Sequence, residues 1–154
     1  MGFISADGQV DLSKATKLKE AEFWFNRYNA HQVAQTLHTI TSKHEDFKQV
    51  SIHLPFSPPD TARLSNATWA ADEKIRLQWK SLDHILVRLL ESRLTCVKAI
   101  WYDHRGEVKV THEEVKRLLK RLLPKMMMKG GIELEHGKRS KLPVLHSGLK
   151  SIIM

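Results

Sequence analysis

Histidine is the residue type best able to do chemistry in this sequence, because its ring titrates near neutral pH and binds metals. The chain contains nine histidines. His112-Glu113 begins like a zinc-protease box, but Lys116 stands where the second histidine ligand would be. His53 and His104 fall near the ends of predicted strands, where parallel α/β proteins place their sites. Since no ligand spacing is complete, we expect neither a bound metal nor a cofactor.

Acid–base and nucleophilic chemistry also lack an assembled motif. Asp103 and His104 are adjacent, and adjacent strand residues point to opposite faces, so they could pair only across a turn, which Gly106 would permit. The chain has no Gly-x-Ser-x-Gly elbow, phosphate loop or dinucleotide fingerprint. The single cysteine, Cys96, lies in an apolar run, which is typical of a small core residue. We therefore predict a non-enzymatic protein, with a small hydrolase-like enzyme as the least favoured reading.

The elements that would position these residues form a repeat. The runs Leu18–Phe25, Phe47–Leu54 and Leu94–Trp101 share one apolar pattern, and Ile132–Glu135 is a shorter echo. Each run predicts a strand with one buried face. The expected core residues of the strands are Ala21, Phe23, Val50, Ile52, Val97, Ala99, Ile132 and Leu134.

Helical patterns lie between the predicted strands, at Ala30–Ser42, at Asp72–Ser92 and from Thr111 onwards. Thr111-His-Glu-Glu114 fits a capping box, and Pro124 should kink or end the third helix. The expected buried helical positions are Leu37, Trp79, Leu82, Leu86, Leu119 and Leu122. This order predicts an α/β fold in which strand–helix repeats form a mostly parallel sheet covered by helices.

Positive charge is concentrated in the last third of the chain. The net charge is +8 overall, with +1 in residues 1–104 and +7 in residues 105–154. The predicted basic helix, 111–128, carries Lys116, Arg117, Lys120, Arg121 and Lys125 opposite its apolar stripe. Such a face could neutralise phosphates, although a solvated outer helix face has the same pattern.

Three aromatic residues are candidate partner-binding anchors. Residues 55–71 form a long predicted loop that contains Phe56 and Trp69, and loops of this length are usually functional or mobile. Trp24 is out of phase with Phe23 and Phe25, so we expect it on the opposite face of the sheet. Aromatic side chains are favoured interface anchors because each buries a large area.

We divide the chain into a single α/β domain, residues 1–137, and a C-terminal tail, residues 138–154, which is poorly patterned. No apolar run approaches the roughly 20 residues of a transmembrane helix, and the start does not resemble a signal peptide. We therefore expect an intracellular protein, cytoplasmic or nuclear, that does not insert into membranes.

Five blocks of sequence resemble the C-terminal region of fungal F-box and leucine-rich-repeat-like proteins, over roughly residues 11–136. The blocks are 12–21, Thr39-Ile-Thr-Ser, Gln49–Phe56, Gln78–Leu86 and Leu122-Leu-Pro-Lys. The resemblance implies strand–helix repeats at the end of a curved solenoid, used for protein recognition. Because no F-box helices precede these repeats, it does not extend to recruitment of a ubiquitin ligase.

The sequence thus favours a protein–protein interaction module whose partner is another protein or a second copy of the chain. The alternative is binding of nucleic acid or another anionic surface through the basic helix.

Overall fold

Parallel strands in chain order make up most of the sheet. The computed structural model describes residues 3–4, 10–25, 29–56, 73–103, 111–137 and 148–153. Strands β1 (Phe3–Ile4) and β2 (Val10–Asp11) form a separate antiparallel pair. The main sheet contains β3 (Glu20–Trp24), β4 (Gln49–Phe56), β5 (Cys96–Asp103), β6 (Ile132–His136) and β7 (Gly148–Ile153). Its order is β6-β5-β4-β3-β7, with β3 to β6 parallel and β7 antiparallel to β3.

Four helices in the described ranges cover one face of this sheet: α1 (Ala30–His38), α2 (Glu73–Ser92), α3 (His112–Leu122) and α4 (Pro124–Lys129). The predicted capping box of α3 is present: Glu114 N donates to Thr111 Oγ1 at 3.2 Å, and Thr111 N donates to Glu114 Oε2 at 3.4 Å. Helix α1 ends earlier than predicted, because the amides of Thr39 and Ile40 turn back to carbonyls three residues before them. The α/β fold with a mostly parallel sheet is confirmed.

The predicted basic helix consists of two helices, because the helical conformation is interrupted at Leu123, just before Pro124. The amides of Lys125 and Met126, in the first turn of α4, donate to the two carboxylate oxygens of Asp83 at 3.0 Å each. Asp83 lies on α2 and is buried. This buried carboxylate satisfies backbone donors that have no partner within the short helix.

The core lies between the helices and the strand residues of one parity. All six predicted strand positions in β3, β4 and β5 are buried, and Ile132 and Leu134 of β6 pack against the core half-buried. The six predicted helical positions are also buried. Cys96 was expected in the core, but it is half-buried on the opposite face, because Val97 and Ala99 take the core-facing parity of β5.

Two equivalent turns precede β3 and β4. In the first, Ala15 N bonds to Leu12 O and Leu18 N to Ala15 O; in the second, His44 N bonds to Thr41 O and Phe47 N to His44 O. In each turn the buried side chains are three residues apart, and the spacing changes to two only within the strand. The predicted strands therefore begin two residues too early, since Leu18 and Phe47 belong to the turns.

The long predicted loop and the tail are described only in part. Pro55 and Phe56 end β4, whereas residues 57–71 lie outside the described residues. Within 138–154, residues 148–153 form β7 at the β3 edge of the sheet. Among the helices described, none is both long enough and apolar enough to cross a membrane.

Candidate functional site

One face of the sheet is not packed against the described helices. We call it the open face; it carries the strand side chains that alternate with the core. In register across β3, β4, β5 and β6 they form two rows: Glu22, Ser51, Lys98 and Glu133, and then Trp24, His53, Ile100 and Glu135. Tyr102 lies beyond the second row, opposite Pro55. Glu133 and Glu135 are exposed, and Lys98 and Ile100 are half-buried, so the β5–β6 side of this face is accessible.

Three aromatic rings stack on the open face. The ring of Trp24 lies 4.2 Å from that of His53, with 10° between their planes, and 5.3 Å from that of Tyr102. The residues are 5%, 6% and 5% exposed, respectively. None of them belongs to the main hydrophobic core. The open face therefore has a small buried aromatic cluster of its own.

Hydrogen bonds fix the orientation of the central ring. His53 Nε2 lies 3.2 Å from Glu22 Oε1, and His53 Nδ1 lies 2.9 Å from the Tyr102 hydroxyl. Because the Glu22 carboxylate can only accept, Nε2 carries the ring proton and Nδ1 accepts from the Tyr102 hydroxyl. The result is a directed chain, Tyr102 to His53 to Glu22.

Burial shifts the pKa values of His53 and Tyr102, the two titratable rings of this hydrogen-bonded series. It lowers the pKa of His53, although the hydrogen bond and negative charge of Glu22 oppose the shift. It also raises the pKa of Tyr102 to about 12, with further contributions from the charges of Glu22 and Glu135. At neutral pH the proton therefore stays on the Tyr102 oxygen, since His53 is a poor acceptor for it. The cluster holds the rings in place and does not generate a phenolate nucleophile.

Two of the three predicted partner-binding residues, Trp24 and Phe56, lie in the described part of the chain. Trp24 lies on the face opposite Phe23 and Phe25, as its phase predicted. Its indole Nε1 is buried with no hydrogen-bond partner in the structure described, and such an orphan donor is costly. Phe56 is the last residue of β4, and Trp69 lies outside the described residues.

The predicted basic residues divide between two helices. Lys116, Arg117, Lys120 and Arg121 lie on α3, and Lys125 lies on α4 after the break. Lys116 is half-buried, whereas the other four are exposed. Lys125 lines a different groove, with His38 and Lys80.

The sequence analysis did not select Glu22 or Tyr102, and it weighed His53 only for its position near a strand end. The available signal was the register: residues at one parity of β3, β4 and β5 meet on one face. The shared two-residue error in the strand starts leaves this register unchanged, so the signal was present in the aligned runs.

Metal ligation has no support in the part of the chain described, where no group of three His, Cys, Asp or Glu side chains could hold an ion. Comparisons with protein-family models, curated proteins and solved structures found no significant match.

Proposed function

We propose that this chain is a non-enzymatic protein–protein interaction module that resembles the terminal part of a leucine-rich-repeat protein. The supporting observation is the one-sided packing of the sheet. Helices α1 to α4 pack on one face, and the other carries the buried aromatic cluster and the more accessible side chains of Lys98, Ile100, Glu133 and Glu135. Repeat proteins use such surfaces for recognition.

The two equivalent turns favour the repeat interpretation. They are offset by 29 residues, within the length of a leucine-rich repeat. Lys48 N bonds to Lys19 O at 2.9 Å and Thr95 N bonds to Lys48 O at 2.8 Å, so successive units stack through their main chains. Each unit then completes the core of its neighbour, as in a solenoid.

The recognition surface we propose combines the open face with Phe56 and Trp69, and Trp24 supports it from the edge of the aromatic cluster. The partner is another protein or a second copy of the chain. The exposed glutamates of β6 and the half-buried Lys98 and Ile100 provide its accessible part.

Partner capture from native extract tests this proposal. The full chain is immobilised and captured proteins are quantified, with and without nuclease. Glu133→Arg with Glu135→Arg should reduce capture at least tenfold, because like charges in an interface cost several kcal/mol. Glu45→Arg with Glu91→Arg makes the same charge change at exposed sites off the open face and should have little effect. Equal capture by both double variants would exclude the open face as the recognition surface.

Nucleic-acid binding through α3 is the second candidate, favoured by the exposure of Arg117, Lys120 and Arg121 on one short helix. Capture that disappears on nuclease treatment would favour it over the protein-binding proposal. Sedimentation of the purified chain over a range of concentrations tests the second copy as partner.

A further inference from the structure

A groove on the helix side of the molecule is lined by residues of three helices. It encloses about 390 Å³ between α1, α2 and α4. We call it the α1–α2–α4 groove. Its side chains include His38, Leu77, Lys80, Ser81, His84 and Lys125. A volume of this size is typical of sites for small molecules, and it lies on the face opposite the proposed protein-binding surface.

Basic groups dominate this lining. His38, Lys80, His84 and Lys125 come from three helices, and none has an ion pair with an acidic side chain within the described ranges. Asp83 also lines the groove, but both its carboxylate oxygens accept hydrogen bonds from the main chain of α4. The carboxylate oxygens of Asp83 are therefore already hydrogen-bonded within the protein. Its one negative charge is exceeded by the positive charges of the two lysines in the lining.

The positive charge around the groove affects the pKa of His38. Burial lowers the pKa of His38, and the positive charges of Arg88 and His84 lower it further. Arg88, His84 and Lys80 on α2 and Lys125 on α4 are the cationic groups around it, and Asp83 is the acidic one. A negative charge bound in the groove would oppose this shift and raise the pKa of His38.

The donor types indicate which anion fits. Two lysine ammonium groups, those of Lys80 and Lys125, line the groove, and lysine binds phosphate as a compact point charge. One wall is apolar: Leu77 is 55% exposed, unusually so for a large aliphatic side chain in this fold. The lysines could bind phosphate oxygens, and Leu77 could contact an apolar organic group.

We propose that the α1–α2–α4 groove binds a phosphomonoester, with its phosphate among His38, Lys80, His84 and Lys125 and its organic group against Leu77. The site is independent of the open face, so either proposal can fail without the other.

Phenyl phosphate is the probe that tests this site. It is titrated into the isotope-labelled full chain at pH 7.5 and 150 mM salt, and ring and amide resonances are followed by NMR. We expect saturable shifts at His38, His84 and Lys125, together with a rise in the pKa of His38. Lys80→Gln with Lys125→Gln should weaken binding more than about tenfold, because both ammonium groups that would donate to the phosphate are removed.

A matched control separates a built site from general attraction to a chain of net charge +8. Arg117→Gln with Lys120→Gln removes the same charge from α3 and should leave the titration unchanged. All these side chains are exposed, so thermal unfolding should confirm that both double variants fold. Shifts that do not saturate, or equal weakening in both variants, would overturn the proposal.

Two further probes identify the source of the phosphate. Inorganic phosphate should bind more weakly than phenyl phosphate because it makes no contact with Leu77, and equal affinity would remove the organic group from the proposal. Vesicles containing phosphatidic acid present the same phosphomonoester in a bilayer. Binding to vesicles, lost in Lys80→Gln with Lys125→Gln, would assign the phosphate to a lipid headgroup, whereas binding of phenyl phosphate alone would assign it to a soluble ligand. Failure of all three probes would exclude the site.

Discussion

His44 Nε2 lies 2.7 Å from the main-chain oxygen of Leu12, which is 32 residues earlier in the chain, and so joins two turns. The amide of Thr41 donates to Nδ1 of the same ring at 3.0 Å, so Nε2 carries the proton and donates to Leu12. The imidazole is fully buried and occupies the position that Ala15 holds in the first turn. One side chain therefore both closes its own turn and connects it to the preceding one.

Replacing this histidine should destabilise the chain. His44→Leu keeps an apolar volume but leaves the Thr41 amide without its partner, at a cost of about 1–3 kcal/mol. It also removes the bond that joins the two turns at the Leu12 carbonyl, which then keeps only its bond from Ala15 N. Urea denaturation measures the change. His31→Leu, at an exposed position on α1, is the control and should change stability by less than about 0.5 kcal/mol. Equal effects of the two substitutions would contradict the connecting role of His44.

Substitution of Ile52, at the centre of β4, should strongly lower the stability of the folded chain. Its side chain is fully buried, and Ile52→Ala should cost about 2–5 kcal/mol through lost transfer energy and the remaining cavity. Leu77→Ala removes a comparable side chain from the exposed surface of α2 and should cost far less. The difference between the two denaturation midpoints is the measurement, and similar midpoints would contradict the assigned core face of β4.

Stability should fall as the pH is lowered through the histidine range. The pKa of His53 in the folded chain is below the ordinary value of 6.5. As the pH falls below that value the unfolded chain takes up a proton that the folded chain resists, so the free energy of unfolding decreases. His38 has a pKa shifted in the same direction and adds to the effect.

The contribution of His53 can be isolated by substitution. Denaturation between pH 5 and 8 should give a shallower pH dependence for His53→Gln than for the unmodified chain, whatever its absolute stability. His38→Gln reports the share of the second histidine. Identical slopes for His53→Gln and the unmodified chain would mean that His53 titrates normally.

Salt dependence distinguishes the two candidate functions. If α3 binds nucleic acid, the slope of log affinity against log salt should be roughly −3 to −4.5, about −0.9 for each phosphate neutralised in three to five contacts. Arg117→Glu with Lys120→Glu should then abolish binding. Lys14→Glu with Lys17→Glu, at exposed positions in the first turn, is the matched control. A flat salt dependence would leave only the protein-binding candidate.

The strand and helix order could be predicted because apolar spacing is a local signal. Phe23, Ile52 and Ala99 each follow a polar residue and share one phase of a period-2 pattern, and Leu82 and Leu86 recur at helical spacing, so their burial follows from the pattern. The stacked turns could not be predicted in the same way. Spacing of three in Leu12, Ala15 and Leu18 belongs to neither template, and the partner of His44 is distant in sequence.

The aromatic cluster depends on the relative register of three strands. Trp24, His53 and Tyr102 each occupy the polar phase of a strand, and only the pairing of β3 with β4 and of β4 with β5 brings their rings together. Each residue alone has a simpler explanation, as a solvated or edge side chain. The break in the basic helix could be predicted from Pro124, but not the buried Asp83 that binds the start of α4, since it lies on a helix far away in sequence.

The antiparallel pairing of β7 with β3 has a kinetic consequence. Strands β3, β4 and β5 each pair with the next strand in the chain, so the sheet can grow by one unit at a time. Glu20 pairs with Ile153, nearly the whole chain away, and closing a loop of that length carries the largest entropy loss in the sheet. That loss becomes small only once the parallel strands have assembled, so β7 docks last. The β3–β7 edge is then the first part of the sheet to open, and its amides exchange with solvent before those between β4 and β5.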